Sequence, residues 1–364
     1  MANALKDIYN EDFISKIAQS IKEVYPNFED KTFTELVFNE QWVEKTLKER
    51  MRHITLCLGD TLPKDYLEAL GILKQIVNRF PKNNLGCIFF PDFVEVYGLA
   101  NWDSSIEALA LFTQHSTSEF AVRPFIVEDE EKMMAQMLEW SKHPNEHVRR
   151  LASEGSRPRL PWGMVLRSLK SDPSPILPIL ENLKEDESLY VRKSVANNIN
   201  DISRDHPNLV LNLAKSWYGT NIYTNWIVKH ACRTLLKQGN KEAMSIFGFE
   251  TAAFVSIEDF TLSPEKLSIG EDLHFSFKVT SNLTTPSKIR IEYKIDYVKA
   301  NGSRSKKIFK VSENQVDQMK PLHYNKTHSF KDLSTRKHYS GTHTITILLN
   351  GNEIVSKDFI VETR

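Results

Sequence analysis

The chain has 364 residues, with 47 basic and 47 acidic side chains, 41% hydrophobic residues and three cysteines. This length suits two or three domains, and the composition is that of a globular protein rather than a disordered, fibrous or disulfide-stapled one. Because the net charge is zero, binding to nucleic acid would need a local row of cations rather than an overall positive charge.

The N-terminal sequence MANALKDIYNEDF places acids where a secretory signal has its apolar region, and no apolar run reaches the ~18 residues of a membrane helix. We therefore expect a cytoplasmic protein without a membrane partner. Cys57, Cys87 and Cys232 form no CxxC pair, and the histidines show no HExxH spacing. The sequence also contains neither a Walker A loop nor GxGxxG. These patterns predict core thiols, no metal site and no cofactor.

The first two thirds of the chain have the apolar spacing of helices. Apolar residues recur every three or four positions, as at Phe13, Ile17, Ile21 and Val24, and this period continues to about Phe247. The pattern predicts a helical domain over residues 1–250.

An internal repeat lies within this helical part. Residues 146–153 (EHVRRLAS) align with residues 189–196 (LYVRKSVA) at a displacement of 43, residues 226–232 form a weaker copy, and residues 120–123 form a degenerate one. Periods near 40 residues are typical of HEAT helix pairs, which stack into a solenoid. We predict a HEAT-repeat solenoid whose equivalent cations share the concave face: Arg123, Arg149, Arg150, Arg192, Lys193, Lys229 and Arg233.

Two interpretations of these cations stay open at this point. They could pair with acids of the neighbouring repeat, such as Asp186, and stabilise the solenoid, or they could bind a phosphate backbone. The loop of residues 155–162 favours DNA binding, because Arg157, Arg159 and Trp162 lie in a stretch that its prolines keep non-helical.

Two acids lie within the row of cations. Glu154 follows Arg149 by five residues, and Asp201 lies at the polar end of the equivalent helix in the next repeat. Carboxylates repel phosphate, so they are either solvated helix-end acids or part of a site where positive charge is bound or develops. Two carboxylates beside the ring of Trp162 are typical of a site that stabilises a sugar oxocarbenium ion.

After Gly248 the apolar period changes to two. Residues 273–279, 289–298 and 344–349 alternate, with turn signals at Asn301-Gly302 and Asn350-Gly351. About six or seven such runs predict a small all-β, immunoglobulin-like sandwich over residues 251–364. Its basic residues surround the first turn and include Lys306 and Lys307, which either bind DNA or protect a sheet edge.

Three segments resemble the HEAT-like DNA alkylation repair glycosylases of the AlkC and AlkD type: SEFAVRPFI (118–126), HPNEHVRRLASEGSRPRLPW (143–162) and YVRKSVANNINDISRDHP (190–207). The AlkC branch is the closer match, because its members have the longer N-terminal helical region and some carry an immunoglobulin-like domain. The resemblance therefore covers essentially the whole chain.

The resemblance implies site residues as well as an activity. Glu119, Glu154 and Asp201 would be the active-site acids, Trp162 would face the deoxyribose, and the helix-borne cations would hold the damaged strand. The implied enzyme is a monofunctional DNA glycosylase that excises cationic N-alkylated bases, notably 3-methyladenine and possibly 3-methylcytosine, from double-stranded DNA. We expect a monomer that needs no cofactor and associates with the nucleoid when bound to DNA.

The main alternative is a non-catalytic HEAT scaffold that binds a protein or DNA, and another is a regulator that senses alkylated DNA without excising the base. The positions of the acids help to separate them. Convergence of Glu154, Asp201 and Trp162 in one cleft would favour the enzyme, whereas pairing of the acids with structural arginines would favour the scaffold.

Overall fold

The computed structural model describes residues 5–249, 255–281, 286–316, 321–333 and 336–363. Helices occupy the N-terminal part and strands the C-terminal part, which confirms the predicted order of the fold classes. The predicted domain boundary at residues 250 and 251 lies outside the described residues. The α-helices in the described part are α1 (Glu11–Val24), α2 (Asp30–Val37), α3 (Leu47–Thr61), α4 (Tyr66–Ile76), α5 (Phe89–Tyr97), α6 (Trp102–Phe112), α7 (Val122–Glu128), α8 (Glu130–Trp140), α9 (Glu146–Gly155), α10 (Arg167–Ser171), α11 (Leu177–Leu183), α12 (Leu189–Ile202), α13 (Pro207–Trp217), α14 (Ile222–Ala231), α15 (Arg233–Lys237) and α16 (Lys241–Ile246).

Several helices begin at side chains that can cap them. Asn10, Asp65, Asn145 and Asn240 accept hydrogen bonds from backbone N–H groups in the first turns of α1, α4, α9 and α16. These bonds satisfy donors that have no partner within the helix. The starts of these four helices are therefore fixed by local sequence, and the apolar faces behind them determine the packing.

The predicted repeat corresponds to packed helix pairs. In the middle of the chain, α8 and α9 form one pair and α11 and α12 the next, and the second helices α9, α12 and α14 pack side by side. The aligned positions Val148 and Val191 are both fully buried. Each repeat thus buries its apolar face against its neighbours, as helical repeats do.

The strands form two sheets. β1 (Val255–Ser263), β3 (Asp272–Ser281) and β6 (Leu322–Ser329) make a three-stranded sheet in the order β1-β3-β6. β2 (Lys266–Ser268), β4 (Ser287–Val298), β5 (Arg304–Val316), β7 (Gly341–Leu349) and β8 (Asn352–Glu362) make a five-stranded one in the order β2-β8-β7-β4-β5. Phe275 and Phe277 of one sheet and Ile291 and Ile347 of the other belong to a common buried core, which is the arrangement of a β-sandwich. The two predicted turns lie between β4 and β5 and between β7 and β8.

The described residues form two compact units. One contains residues up to 205 together with 219–231, and the other contains 206–218 together with the residues from 232 onward. Helices α13, α15 and α16 therefore belong to the same unit as the strands. Within that unit, a Cβ atom on Gly351 of the β7–β8 turn would lie 2.7 Å from the Cα atom of Gly239, so this turn packs directly on the segment between α15 and α16.

None of the described helices combines the length and the apolar content that crossing a bilayer requires. The three cysteines are buried and unoxidised, which confirms the prediction of core thiols. Burial raises the pKa of Cys87 and Cys232 to about 12, so these thiols are poor nucleophiles at neutral pH.

A buried histidine connects two tyrosines inside the sandwich. The Nδ1 atom of His328 lies 2.9 Å from the hydroxyl of Tyr293, and its Nε2 atom lies 2.6 Å from the hydroxyl of Tyr297. Arg336 donates to the same Tyr297 hydroxyl at 3.2 Å. The network is satisfied when Tyr297 donates to Nε2 and the Nδ1–H group donates to Tyr293, a tautomer of neutral histidine. Burial, and next the charge of Arg336, lower the pKa of His328 to about 4.

We expect the sandwich to lose stability in mild acid, because unfolded His328 binds a proton near pH 6.5 and folded His328 only near pH 4. The stabilisation is fully present above pH 6.5 and is lost as the pH falls toward 4, and it is on the order of 3 kcal/mol. Hydrogen exchange of peptides from β4 and β7, corrected for intrinsic rates, should show protection falling from pH 7.5 to pH 5. The pH dependence should be weaker in His328→Gln, and an identical dependence in both proteins would contradict the assignment.

Candidate active site

Three acids that the sequence singles out lie near helix ends of the first unit. Glu119 is in the turn before α7, Glu154 is in the last turn of α9, and Asp201 is in the last turn of α12. Their side chains are 12%, 7% and 6% exposed, respectively. Because α9 and α12 pack side by side, their last turns bring Glu154 and Asp201 close together. Carboxylates this deeply buried require partners.

Two arginines connect the three acids. The Nη1 atom of Arg157 donates to Glu154 at 2.6 Å, and its Nε atom donates to Asp201 at 2.8 Å. Arg150 donates to Glu119 and lies 3.6 Å from Glu154. The result is one continuous chain of ion pairs, Glu119–Arg150–Glu154–Arg157–Asp201, which we call the acid–arginine chain. Charge-assisted hydrogen bonds of this kind fix both partners in place.

Burial shifts the pKa values of an acid and an arginine in the site, in each case toward the neutral form. It raises the pKa of Asp201 above its usual range, although the ion pair with Arg157 opposes the rise. Burial and the neighbouring Arg157 also lower the pKa of Arg123 to about 10, against the attraction of Glu119, Asp201 and Glu154. Arg123 therefore lies in the electrostatic field of the whole acid–arginine chain.

The loop between α9 and α10 presents Trp162 to solvent. The side chain of Trp162 is 68% exposed, and its φ of 65° is in the left-handed region that large side chains seldom adopt. Arg123 donates to the carbonyl oxygen of Met164 at 2.8 Å and to that of Gly155 at 2.9 Å, so it ties the two ends of this loop together. Lys48 of α3 donates to the carbonyl oxygen of Trp162 itself at 2.8 Å.

Two predicted DNA contacts are wrong. Arg123 is 0% exposed and serves to hold the Trp162 loop, so it cannot reach a phosphate. Arg157 is 7% exposed and its guanidinium is bonded to Glu154 and Asp201. Both arginines fold into the protein because a buried cation is stable only among carbonyl or carboxylate oxygens, and the sequence places such oxygens around them.

Two other cations of the row have the same structural role one repeat apart. Arg149 donates to the carbonyl oxygens of His143 and Pro144, and Arg192 donates to those of Asp186 and Glu187. Arg149 also forms a two-point ion pair with the Asp186 side chain, at 2.7 and 3.2 Å. This is the pairing between repeats that the sequence left open, and contact of Arg149, Arg150 or Arg192 with DNA stays a prediction.

The remaining predicted DNA contacts differ in exposure. Arg159 pairs with Asp205 through two hydrogen bonds, Arg233 is half-buried, and four lysines are exposed: Lys193, Lys229, Lys306 and Lys307. Lys306 and Lys307 lie on β5, which is the last strand of the five-stranded sheet. The edge position supports the edge-protecting interpretation, and their binding to DNA stays a prediction.

A cavity of about 530 Å³ adjoins the acid–arginine chain. Glu119, Arg150 and Tyr190 line it, and the guanidinium of Arg150 lies 5.0 Å from the centre of the Tyr190 ring. Our sequence reasoning gave no role to Tyr190 or Lys48. Tyr190 is the second residue of the repeated segment 189–196 and could have been noticed there, whereas no local pattern marks Lys48, whose contact spans 114 residues of chain.

Within the described parts of the chain, no group of three or more His, Cys, Asp or Glu side chains is placed to hold a metal ion. The side chains that the site brings together are carboxylates, guanidinium groups and the exposed indole. Such groups can bind and stabilise a cation and can orient a water molecule.

Comparison with known proteins gives matches over both parts of the chain. The family described as DNA alkylation repair enzyme matches residues 115–235, and the C-terminal Ig-like domain of the uncharacterised protein YhaZ matches residues 256–363. The uncharacterized protein YhaZ of Bacillus subtilis (strain 168) is 55% identical over 357 residues, which are 98% of this chain and 99% of the relative.

A solved structure matches over nearly the same length. It is the Pseudomonas fluorescens alkylpurine DNA glycosylase AlkC bound to DNA containing an abasic site analog, with 38% identity and a TM-score of 0.95. The match covers 99% of this chain and 100% of that chain. The Ig-like match confirms the predicted type of sandwich, and the structural match confirms the helical repeat fold.

Proposed function

Because this chain belongs to the AlkC branch of the HEAT-like DNA alkylation repair glycosylases, we propose that it excises positively charged N-alkylated bases from double-stranded DNA. The substrates are 3-methyladenine and, second, 3-methylcytosine, and the enzyme is a monofunctional hydrolase of the N-glycosidic bond. It acts as a monomer in the cytoplasm and associates with the nucleoid when bound to DNA. The observation that carries the proposal is the acid–arginine chain beside the loop that exposes Trp162.

The proposed chemistry uses the charge of the lesion. Adenine or cytosine methylated at N3 is a cation, so its glycosidic bond is weak and the leaving group needs no general acid. As the bond breaks, positive charge moves to the sugar, where the carboxylates of Glu119, Glu154 and Asp201 stabilise it. Trp162 offers the negative face of its ring to the same charge. Uncharged lesions gain less from this arrangement and should react poorly.

Asp201 is the acid that we assign to activation of the attacking water. Burial raises its pKa above the usual range, and a more basic carboxylate is a better proton acceptor near neutral pH. The ion pair with Arg157 keeps the carboxylate oriented at the same time. Glu154, between Arg150 and Arg157, then acts as the purely electrostatic member of the set.

The scaffold function keeps one observation in its favour, the pairing of all three acids with arginines. Pairing with arginine also keeps a carboxylate ionised and rigid, which an electrostatic catalytic site needs as well. Both interpretations therefore agree with the ion pairs, and turnover separates them.

Release of free base from methylated duplex DNA tests the function directly. Genomic DNA treated with a methylating agent is incubated with the full chain, and the released bases are separated and quantified by mass spectrometry. We expect time-dependent release of 3-methyladenine and no release of uracil or hypoxanthine from matched duplexes. Binding without release would support the sensor or scaffold function and overturn the enzyme.

A separate prediction concerns the exposed lysines and the affinity for DNA. Lys193→Ala should weaken binding to damaged and undamaged duplex alike and lower the slope of log affinity against log salt by about one, the value for one phosphate contact. The double charge reversal Lys306→Glu with Lys307→Glu should lower the slope further if β5 approaches DNA. Lys31→Met, which removes an exposed lysine of α2, is the matched control. Slopes that equal the wild-type slope would remove these lysines from the DNA contact.

A further inference from the structure

The main chain at Trp162 is strained and therefore needs support. A non-glycine residue at a φ of 65° costs about 1–3 kcal/mol, and it persists only where the surrounding structure holds it. Pro161 restricts the residue before it, and the N–H group of Gly163 bonds back to the carbonyl oxygen of Leu160 at 3.1 Å. These local features shape the turn, but none of them bonds to Trp162 itself.

Lys48 provides a direct contact to Trp162. Its ammonium group donates to the Trp162 carbonyl oxygen at 2.8 Å. Lys48 lies in α3, 114 residues before Trp162, and belongs to the same unit. A charged donor on a carbonyl oxygen is among the stronger hydrogen bonds of a protein. The carbonyl that it fixes belongs to the residue whose ring faces solvent, so the bond holds the main chain from which that ring projects.

The same ammonium group contacts a second segment of the site. It lies 4.4 Å from the centre of the Phe120 ring, which is within cation–π range, and Phe120 directly follows Glu119. Lys48 is also close enough to Asp92 and Glu95 of α5 to oppose the rise in their pKa that burial causes. Arg52 bonds to both of these acids at 2.8 and 2.6 Å. Lys48 is therefore held between the acids of the N-terminal helices and two segments of the site.

We propose that Lys48 is a positioning residue for catalysis, which holds the main chain at Trp162 in register for the reacting sugar. The inference rests on the proposed glycosylase function. On this proposal the N-terminal helices contribute to the active site, because α3 supplies the bond that holds the main chain of the exposed Trp162. Lys48 acts through Trp162 and does not itself touch the substrate.

A double-mutant cycle tests this role. Lys48→Met keeps an unbranched side chain of similar length and removes the ammonium group. We expect the single-turnover rate of 3-methyladenine release to fall about tenfold, as for loss of one charged hydrogen bond. In a Trp162→Ala background the same change should have little further effect, because the indole that Lys48 positions through the main chain is gone. Lys48→Arg should restore part of the rate, and Lys31→Met should leave it unchanged. A full tenfold loss from Lys48→Met in the Trp162→Ala background would overturn the proposal.

A spectroscopic readout does not depend on turnover. The chain has six tryptophans, so protein labelled with 5-fluorotryptophan gives six ¹⁹F resonances, of which the one missing in Trp162→Phe belongs to Trp162. In Lys48→Met this resonance should shift or broaden while the other five keep their positions. An unchanged Trp162 resonance would contradict the positioning role. A changed resonance in a protein that releases no base at all would support the contact and contradict the glycosylase function.

Discussion

Asp201→Asn is expected to lower the single-turnover rate of 3-methyladenine release about a hundredfold or more, the scale of losing one electrostatic group at a reacting centre. The amide cannot accept the proton of water and carries no charge to stabilise the sugar cation. Affinity for duplex DNA should be kept or improved, because a carboxylate that repels phosphate is removed. Rate and affinity are measured separately, by quenched-flow base release at saturating enzyme and by fluorescence anisotropy of a labelled duplex.

The control for Asp201→Asn is Asp205→Asn. Asp205 lies four residues later, is more exposed and pairs with Arg159. This variant should release base at nearly the wild-type rate. The wild-type rate should also fall as the pH drops through the pKa of Asp201, which lies above the usual range of a carboxyl, and this acid limb should be missing in Asp201→Asn. Unchanged rates in both Asp201→Asn and Glu154→Gln would falsify the mechanism.

Arg157→Met is expected to lower the free energy of unfolding at pH 7 by about 3–5 kcal/mol, because it leaves the buried carboxylates of Glu154 and Asp201 without their shared cation. Methionine has a similar length and no charge, so packing is largely kept. The loss should be smaller at pH 5, because burial raises the pKa of Asp201 and the arginine that opposes the rise is gone, so protonation begins to relieve this carboxylate. Urea unfolding followed by circular dichroism at 222 nm reports mainly on the helices and measures the effect.

Arg159→Met provides the comparison for Arg157→Met within the same loop. Arg159 and Asp205 are 32% and 25% exposed, so their ion pair is screened by solvent and its loss should cost about 1 kcal/mol or less. Equal losses in the two variants would mean that burial of the acid–arginine chain does not set its contribution to stability.

Local patterns made much of the fold predictable. The three-and-four spacing of apolar residues marked the helices, and the alternation in residues 289–298 marked β4, because each period follows directly from the geometry of the element. The 43-residue displacement between Val148 and Val191 identified packed repeats for the same reason. Assignment of α13, α15 and α16 to the unit of the strands was not predictable, since it depends on contacts between segments that no local period encodes.

The sequence predicted which residues form the candidate site, but only some of the contacts between their side chains. Glu154 and Asp201 stood out as acids among cations, and the structure places them on one arginine. The sequence assigned that arginine, Arg157, to DNA because charge alone does not say whether a side chain points to solvent. Lys48 was missed because its bond to Trp162 joins distant parts of the chain. Pairwise contacts of this kind arise from packing, and composition or spacing does not record them.

Helices α13, α15 and α16 belong to the unit of the strands, so segments of the two units alternate along the chain. The polypeptide passes from one unit to the other three times, near residues 205, 218 and 231. A protease that cuts at any one of these crossings leaves the two units joined by the others. A stop codon at residue 251 removes the strands but leaves three helices without the rest of their unit. The sandwich is therefore not a detachable module, and a transplant of it into another protein would have to take residues 206–218 and 232–249 with it.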